Sequence, residues 1–409
     1  MSGVVVTGIG VTAPNGVGTE RYWAATLAGT SGIRPITRFD ATGYPCALAG
    51  EVPGFDAARW VPGRVIPQTD HWTHLSFAAT SMALDDAGLD PARYPEFAMG
   101  VITSTSSSGG EFGQRELAKL WSAGPRHVGA FQSIAWFYAA TTGQLSIRYG
   151  MRGPCAAIAA EQAGGLDAIA HARRVLRDGP ATMVVSGGTD ASLAPYGLVA
   201  QLTTGHLATG TDPAAAYTPF DRDAAGYVPG EGGAILVLED EQHAVRHRRA
   251  RPYARIAGHA ATFDPRPGSG RPGGLGRAVA GALDDAGLAP ADIDVVFADA
   301  AGVAELDLAE ASVLTEVFGP RGVPVTAPKT MTGRLYAGAA LDVAAAALAI
   351  RDGLIPPTVA TRDLADGCDL DLVLDRPREA PVRAALVVAR GHGGFNSAMV
   401  LVRHDPFDR

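Results

Sequence analysis

Short apolar, β-branched runs recur along the chain, several closed by glycine: Val4 to Gly10, Met183 to Gly188, Ala234 to Glu239, Val295 to Ala298 and Ala384 to Ala389. Between them, apolar positions return every three or four residues. This spacing predicts helices over Ser76 to Gly88, Gly165 to Asp178, Leu275 to Gly287 and Ala337 to Gly353. Strands that read as apolar on both faces must be covered on both faces, so the pattern is that of a layered α/β fold with buried parallel strands. One stretch echoes another. GEGGAILVLED (Gly230 to Asp240) resembles GHGGFNSAMVLVR (Gly391 to Arg403), each a glycine-rich turn leading into an apolar strand, which points to two duplicated halves. The charged stretch Glu239 to Arg251 reads as a surface connection between them, and Pro265 to Gly274 as a second loop.

Composition narrows the function. With 409 residues and 47% hydrophobic content the chain can bury a large core, while a net charge of -8 argues against a nucleic-acid footprint or an anionic membrane surface. No apolar run reaches the roughly 18 residues that a spanning helix needs. Met1 to Thr12 turns apolar at once without a basic leader or a cleavage site, so no targeting segment is expected and Val4 to Val6 reads as a first buried strand. Cys46, Cys155 and Cys368 are scattered and show no ligand spacing. Neither a disulfide framework nor a metal site is expected, no cofactor is implied, and a reducing cytoplasm fits.

The chemistry concentrates in GMRGPCAAIAAEQAGGLDAIAHARR, Gly150 to Arg174, where a loop enters an alanine-rich helix. Taken alone, Gln162 there is a polar residue at a helix start. Gly153-Pro154 before it and Gly165-Leu166-Asp167-Ala168 after it make the stretch resemble the nucleophile elbow of the ketosynthase family, in which a cysteine occupies the position of Gln162. Unsatisfied N–H groups at a helix entrance favour a thiolate. Glutamine offers only a neutral amide and forms no thioester, and Cys155 lies too early to replace it.

A second stretch, AYTPFDRDAAGYVPGEGGAILVLED, resembles the same family's Pro-Phe-Asp signature; Asp221 and Arg222 are expected to form a buried, hydrogen-bonded corner. The family's two histidines, which stabilise a thioester oxyanion, correspond to Asp299, after Val295-Val296-Phe297-Ala298, and to Arg334, after Pro328-Lys329-Thr330-Met331-Thr332-Gly333. Lys329 matches the family lysine and is expected to hold a buried ion pair with a carboxylate such as Glu310. The terminal Gly393-Gly394-Phe395-Asn396-Ser397 corresponds to a loop bordering the family site.

The resemblance spans nearly the whole chain and is similar in kind to the non-condensing beta subunits, or chain-length factors, of type II polyketide ketosynthases. It implies a thiolase-like α/β fold of two βαβαβαββ halves in an αβαβα sandwich, with an N-terminal half over 1–245 and a C-terminal half over 246–409. It also implies a heterodimer with a catalytic alpha subunit, and an acyl carrier protein that delivers malonyl units and the growing polyketide. By the same resemblance Gly110, Gly113 and Leu117 are the gate positions of the polyketide channel. Their spacing puts them on one helix face, and their small size implies a roomy channel and a long product, a decaketide or beyond. Phe131, Trp136, Phe137 and Tyr138 form a dense aromatic cluster suited to the dimer interface; an internal core cluster is the alternative. Two further readings stay open: Gln162 supporting decarboxylation of malonyl-carrier protein to an acetyl primer, and a purely structural subunit.

Overall fold

The computed structural model describes residues 3–179, 181–248, 250–266 and 268–404. Ten strands build the centre: β1 (Val4–Ala13), β2 (Met99–Ser104), β3 (Cys155–Ile158), β4 (Met183–Asp190), β5 (Gly232–Asp240), β6 (Ala254–Phe263), β7 (Val295–Phe297), β8 (Pro324–Thr326), β9 (Ala384–Gly391) and β10 (Phe395–Val402). The helices that matter below are α1 (His71–Asp86), α2 (Gly110–Ala123), α3 (Ala140–Tyr149), α4 (Gly164–Asp178), α5 (Pro195–Leu202), α6 (Leu275–Ala286), α7 (Ala304–Phe318) and α8 (Ala339–Asp352).

The strands run in the order β8-β7-β9-β10-β6-β1-β5-β4-β2-β3. Read outward from the centre, β1-β5-β4-β2-β3 and β6-β10-β9-β7-β8 are the same arrangement, and the two echoing stretches supply equivalent strands, β5 and β10. The halves meet where β1 pairs antiparallel with β6 at Val5 and Val6. The outer strands of each half are parallel, whereas β1, β5 and β4, like β6, β10 and β9, pair antiparallel. The expected buried parallel strands are the outer ones of each half; the central ones pair antiparallel, and double-sided burial gives the same continuous apolar run in either direction.

Period-two alternation sorts the side chains into layers. Leu236 and Leu238 face inward with Val184, Val387 and Leu401, sharing one core with α4 and α8. Ile235 and Val237 face outward under α1 and α3; Leu386, Val388 and Val400 face outward under α6 and α7. The result is the five-layer αβαβα sandwich. Helix α8 is buried on every side from Ala339 to Ile350, as a helix between two sheets must be, and its alanines let both sheets approach closely.

Glycines in the strands do not close them; they admit the helices. A Cβ on Gly10 would stand 1.8 Å from the Ala79 carbonyl of α1, and one on Gly258 would stand 2.1 Å from the Ala282 carbonyl of α6. The same device thus seats the equivalent helix in each half. Ser186-Gly187-Gly188 lies inside β4, where Gly187 serves strand packing instead: its ideal Cβ would stand 2.3 Å from the Ala234 carbonyl of β5. A Gly10→Ala substitution is expected to lower stability by about 1–3 kcal/mol through forced separation of α1 from β1, read as a reduced melting temperature.

Candidate functional site

The loop leaving β3 turns sharply at Glu161, whose φ of 49° is left-handed and unusual for a residue with a side chain. This turn aims Gln162 into the protein at the entrance of α4. Two glycines of the matched stretch make the placement possible. A Cβ on Gly164 would fall 2.3 Å from Ser104 Oγ, and one on Gly165 would fall 2.5 Å from the Ala340 nitrogen, so α4 and α8 cross with their first turns almost touching.

Asp299 follows β7 and Arg334 follows the left-handed Gly333; although remote in sequence they meet directly. Arg334 Nη2 donates to Asp299 Oδ1 at 2.8 Å and to Oδ2 at 2.9 Å, and Nη1 donates to the Asp299 carbonyl at 2.7 Å. The guanidinium also lies 5.8 Å from the Tyr227 ring centre. The amide orientation that satisfies both neighbours of Gln162 turns its oxygen to Arg334 Nε and its nitrogen to Glu161, each at 3.3 Å, so that Gln162 accepts from the first and donates to the second. The three positions singled out in the sequence therefore form one connected network.

Arg390, missed in the sequence, completes it. Its backbone N–H donates to Asp299 Oδ1 at 2.8 Å, and its side chain pairs with Asp299 at 3.3 Å and with Glu310 at 3.3 Å. The available signal was a charged residue ending the apolar run Ala384 to Ala389. Burial drives the Asp299 carboxyl up, but the charges of Arg334, Arg390 and Lys329 outweigh burial and hold it below the usual carboxylate range. Burial works against the Arg334 cation, and Asp299 overcomes it, keeping the guanidinium charged.

Lys329 pairs with Asp342 of α8 at 3.0 Å and donates to the Ala298 carbonyl. The expected partner, Glu310, instead accepts the backbone N–H groups of Asp299 at 2.7 Å and Ala300 at 2.9 Å. Asp221 is a buried corner as expected, accepting from Arg362, Asp363 and Asp223 nitrogens. Arg222 is not; it is exposed and pairs with Asp363 on the surface.

Two cavities flank Glu161. A vestibule of about 160 Å³ is lined by Gln162, His206, Arg334, Arg390, His392 and Gly393-Gly394. A larger cavity of about 400 Å³ opens among Ser106 to Ser108, Gly110, Trp136, Tyr138, Tyr196, Tyr336 and Phe395. The three positions expected to form a channel gate do not share one wall of this cavity. Gly110 lines this cavity with open space before its Cβ position, Gly113 lies beneath Trp136, whose Cδ1 would be 2.9 Å from an added Cβ, and Leu117 is 48% exposed on the outer face. The aromatic cluster is exposed rather than internal: Trp136 is 50% and Phe137 56% accessible, joined by Phe131 and Tyr138 and by Trp121 at 83%. No helix of the described residues is long and apolar enough to cross a membrane.

Residues 1–244 match the N-terminal domain of beta-ketoacyl synthases, and residues 253–362 match their C-terminal domain. The chain belongs to the beta-ketoacyl synthase family, and within it to the non-condensing beta subunits of type II polyketide synthases. It is 61% identical over 402 residues, covering 98% of both chains, to the ketoacyl synthase beta subunit of the tetracenomycin polyketide synthase of Streptomyces glaucescens. Among solved structures, the ishigamide ketosynthase/chain length factor superposes with a TM-score of 0.91 at 30% identity, covering 99% of this chain and 100% of that one. A type II polyketide synthase acyl-carrier protein in complex with its ketosynthase bound to a hexaketide superposes with a TM-score of 0.87 at 26% identity over 99% of this chain and 100% of that one.

Removing one member of the central ion pair strands the others. Asp299→Ala is expected to cost about 3–5 kcal/mol, whereas the apolar pair Asp299→Leu with Arg334→Met should cost much less; melting temperatures of the three proteins test this. A second expectation concerns Asp307, which accepts from Phe220 and Gly302 nitrogens beside the Asp299 loop. Burial, above all, pushes its carboxyl up to about 7. The folded state then holds this proton more tightly than the unfolded chain, so the stabilising contribution is full below about pH 4 and lost as pH rises through 7. Asp307→Asn should flatten the fall in denaturation midpoint across that interval.

Proposed function

We propose that the larger cavity beside Gly110 is where this subunit sets polyketide length, together with a catalytic alpha subunit docked on its exposed aromatic face. The observation that carries the reading is the contrast between two neighbouring sites. At the family's catalytic positions Gln162, Asp299 and Arg334 are spent on one another, leaving neither thiolate nor oxyanion donor, while an open, partly apolar cavity persists on the other side of Glu161.

Trp121, Trp136 and Phe137 present more aromatic surface to solvent than a lone subunit gains from, and aromatic residues concentrate at the centres of interfaces. A growing chain, elongated on the partner's cysteine, would end against the wall that includes Gly110, Tyr138 and Tyr196. The carrier protein would dock mainly on the partner, and the assembly would work in the cytoplasm. The absence of a side chain at Gly110 supports a long product, of decaketide size or beyond; Gly113 contributes by seating Trp136, not by widening the cavity.

The alternative, decarboxylation of malonyl-carrier protein through Gln162, is disfavoured by an amide already engaged at both ends with Arg334 and Glu161. In a complex reconstituted with the alpha subunit and carrier protein, Gly110→Phe is expected to shorten the main product. Gly113→Phe should instead push Trp136 aside and weaken the heterodimer. Mass analysis of products and sedimentation of the complexes read the two effects; an unchanged product with Gly110→Phe would overturn the length-setting role.

A further inference from the structure

Helix α2 carries Gly110 at its start, yet it has no cap of its own. The residue at its N-cap position is Gly109, which has no side chain to offer, and the first N–H groups of a helix have no partner within it. Asp70 supplies the missing acceptor from another element. It is 1% exposed and caps α1, its own helix, by accepting from the Trp72 nitrogen with Oδ1 at 3.3 Å. Its second oxygen reaches across and accepts from the Phe112 nitrogen of α2 at 2.6 Å. One buried carboxylate therefore closes two helix starts at once.

The segment just before α2 is held in the same way. Asp190, fully buried at the end of β4, accepts from the backbone nitrogens of Ser106 at 2.6 Å and Ser107 at 3.1 Å. Asp190 and Asp70 thus fix the two ends of the stretch Ser106 to Phe112, which includes Ser106, Ser107, Ser108, Gly110 and Glu111 of the cavity wall. Farther along α2, Leu117 and Trp121 are exposed, so its outer face adds little anchorage within this subunit. We propose that Asp70 is a positioning residue for product length: by capping α2 from α1 it holds the Gly110 wall at one distance from the opposite side of the cavity. This rests on the length-setting role proposed for the Gly110 cavity.

Asp70→Ser separates the two bonds, since a serine hydroxyl can still cap α1 at Trp72 but is too short to reach Phe112. In the reconstituted complex this variant should raise the ratio of off-length to main products roughly fivefold, the factor expected for loss of one helix cap. Amide exchange at Phe112 should quicken while that at Trp72 stays slow. Asp70→Asn, which keeps the size but presents a single acceptor, is the second variant if Asp70→Ser does not fold. Gly110→Phe runs in parallel. Unaltered exchange at Phe112 overturns the positioning role. Faster exchange with an unaltered product ratio, where Gly110→Phe does shorten the product, overturns its consequence for length. If Gly110→Phe is silent as well, the length-setting role of the cavity is what falls, and the exchange rates alone decide the capping role.

Discussion

The pairing of Arg334 with Asp299 organises the heart of this molecule. A guanidinium buried this deeply survives only with its charge and its N–H groups matched, and Asp299 offers both carboxylate oxygens and its carbonyl to do so. The match draws in further residues. Asp299 needs Arg390 for its remaining lone pairs, Arg390 needs Glu310, and Glu310 in turn fixes the backbone of the Asp299 loop. Gln162 fits because it can face a cation on one side and a carboxylate on the other. Gln162, Asp299, Arg334, Arg390 and Glu310 thus form a mutually dependent set, in which a change at one position alters the partners of the others.

That set sits in a scaffold with little room to adjust. Equivalent glycines let α1 and α6 press onto their sheets, and Gly165 brings α4 against the start of α8. Chains packed backbone to backbone transmit a shift in one element to the next. These glycines seat the helices and the elbow whatever side chain stands at the helix entrance. The elbow at Glu161 separates a vestibule lined by Arg334, Arg390 and His392 from a larger cavity, and the second of these reaches toward the exposed aromatic face.

The local features of the sequence were legible. The return of apolar positions every three or four residues located the helices, continuous apolar runs located the central strands, and the echo of two glycine-rich stretches marked the repeat. Asp299 and Arg334 were singled out by the short motifs that precede them, and the structure brings the two together. Strand direction was not legible, because a run buried on both faces looks the same parallel or antiparallel. Nor were the strand glycines, whose reason is a helix carbonyl close to Gly10 or Gly187's neighbouring strand, neither visible from spacing.

The sequence by itself determined the fold class, the internal repeat and the glutamine at the helix entrance, since each depends on residue type and short-range order. Only the tertiary structure decided which charges pair and which small residues leave space. Lys329 meets Asp342 rather than Glu310, Arg222 stays at the surface, and of two glycines on the same helix Gly110 faces a cavity while Gly113 faces an indole. Pairing energy and free volume depend on distances between residues far apart in the chain, and those distances exist only after the layers have packed.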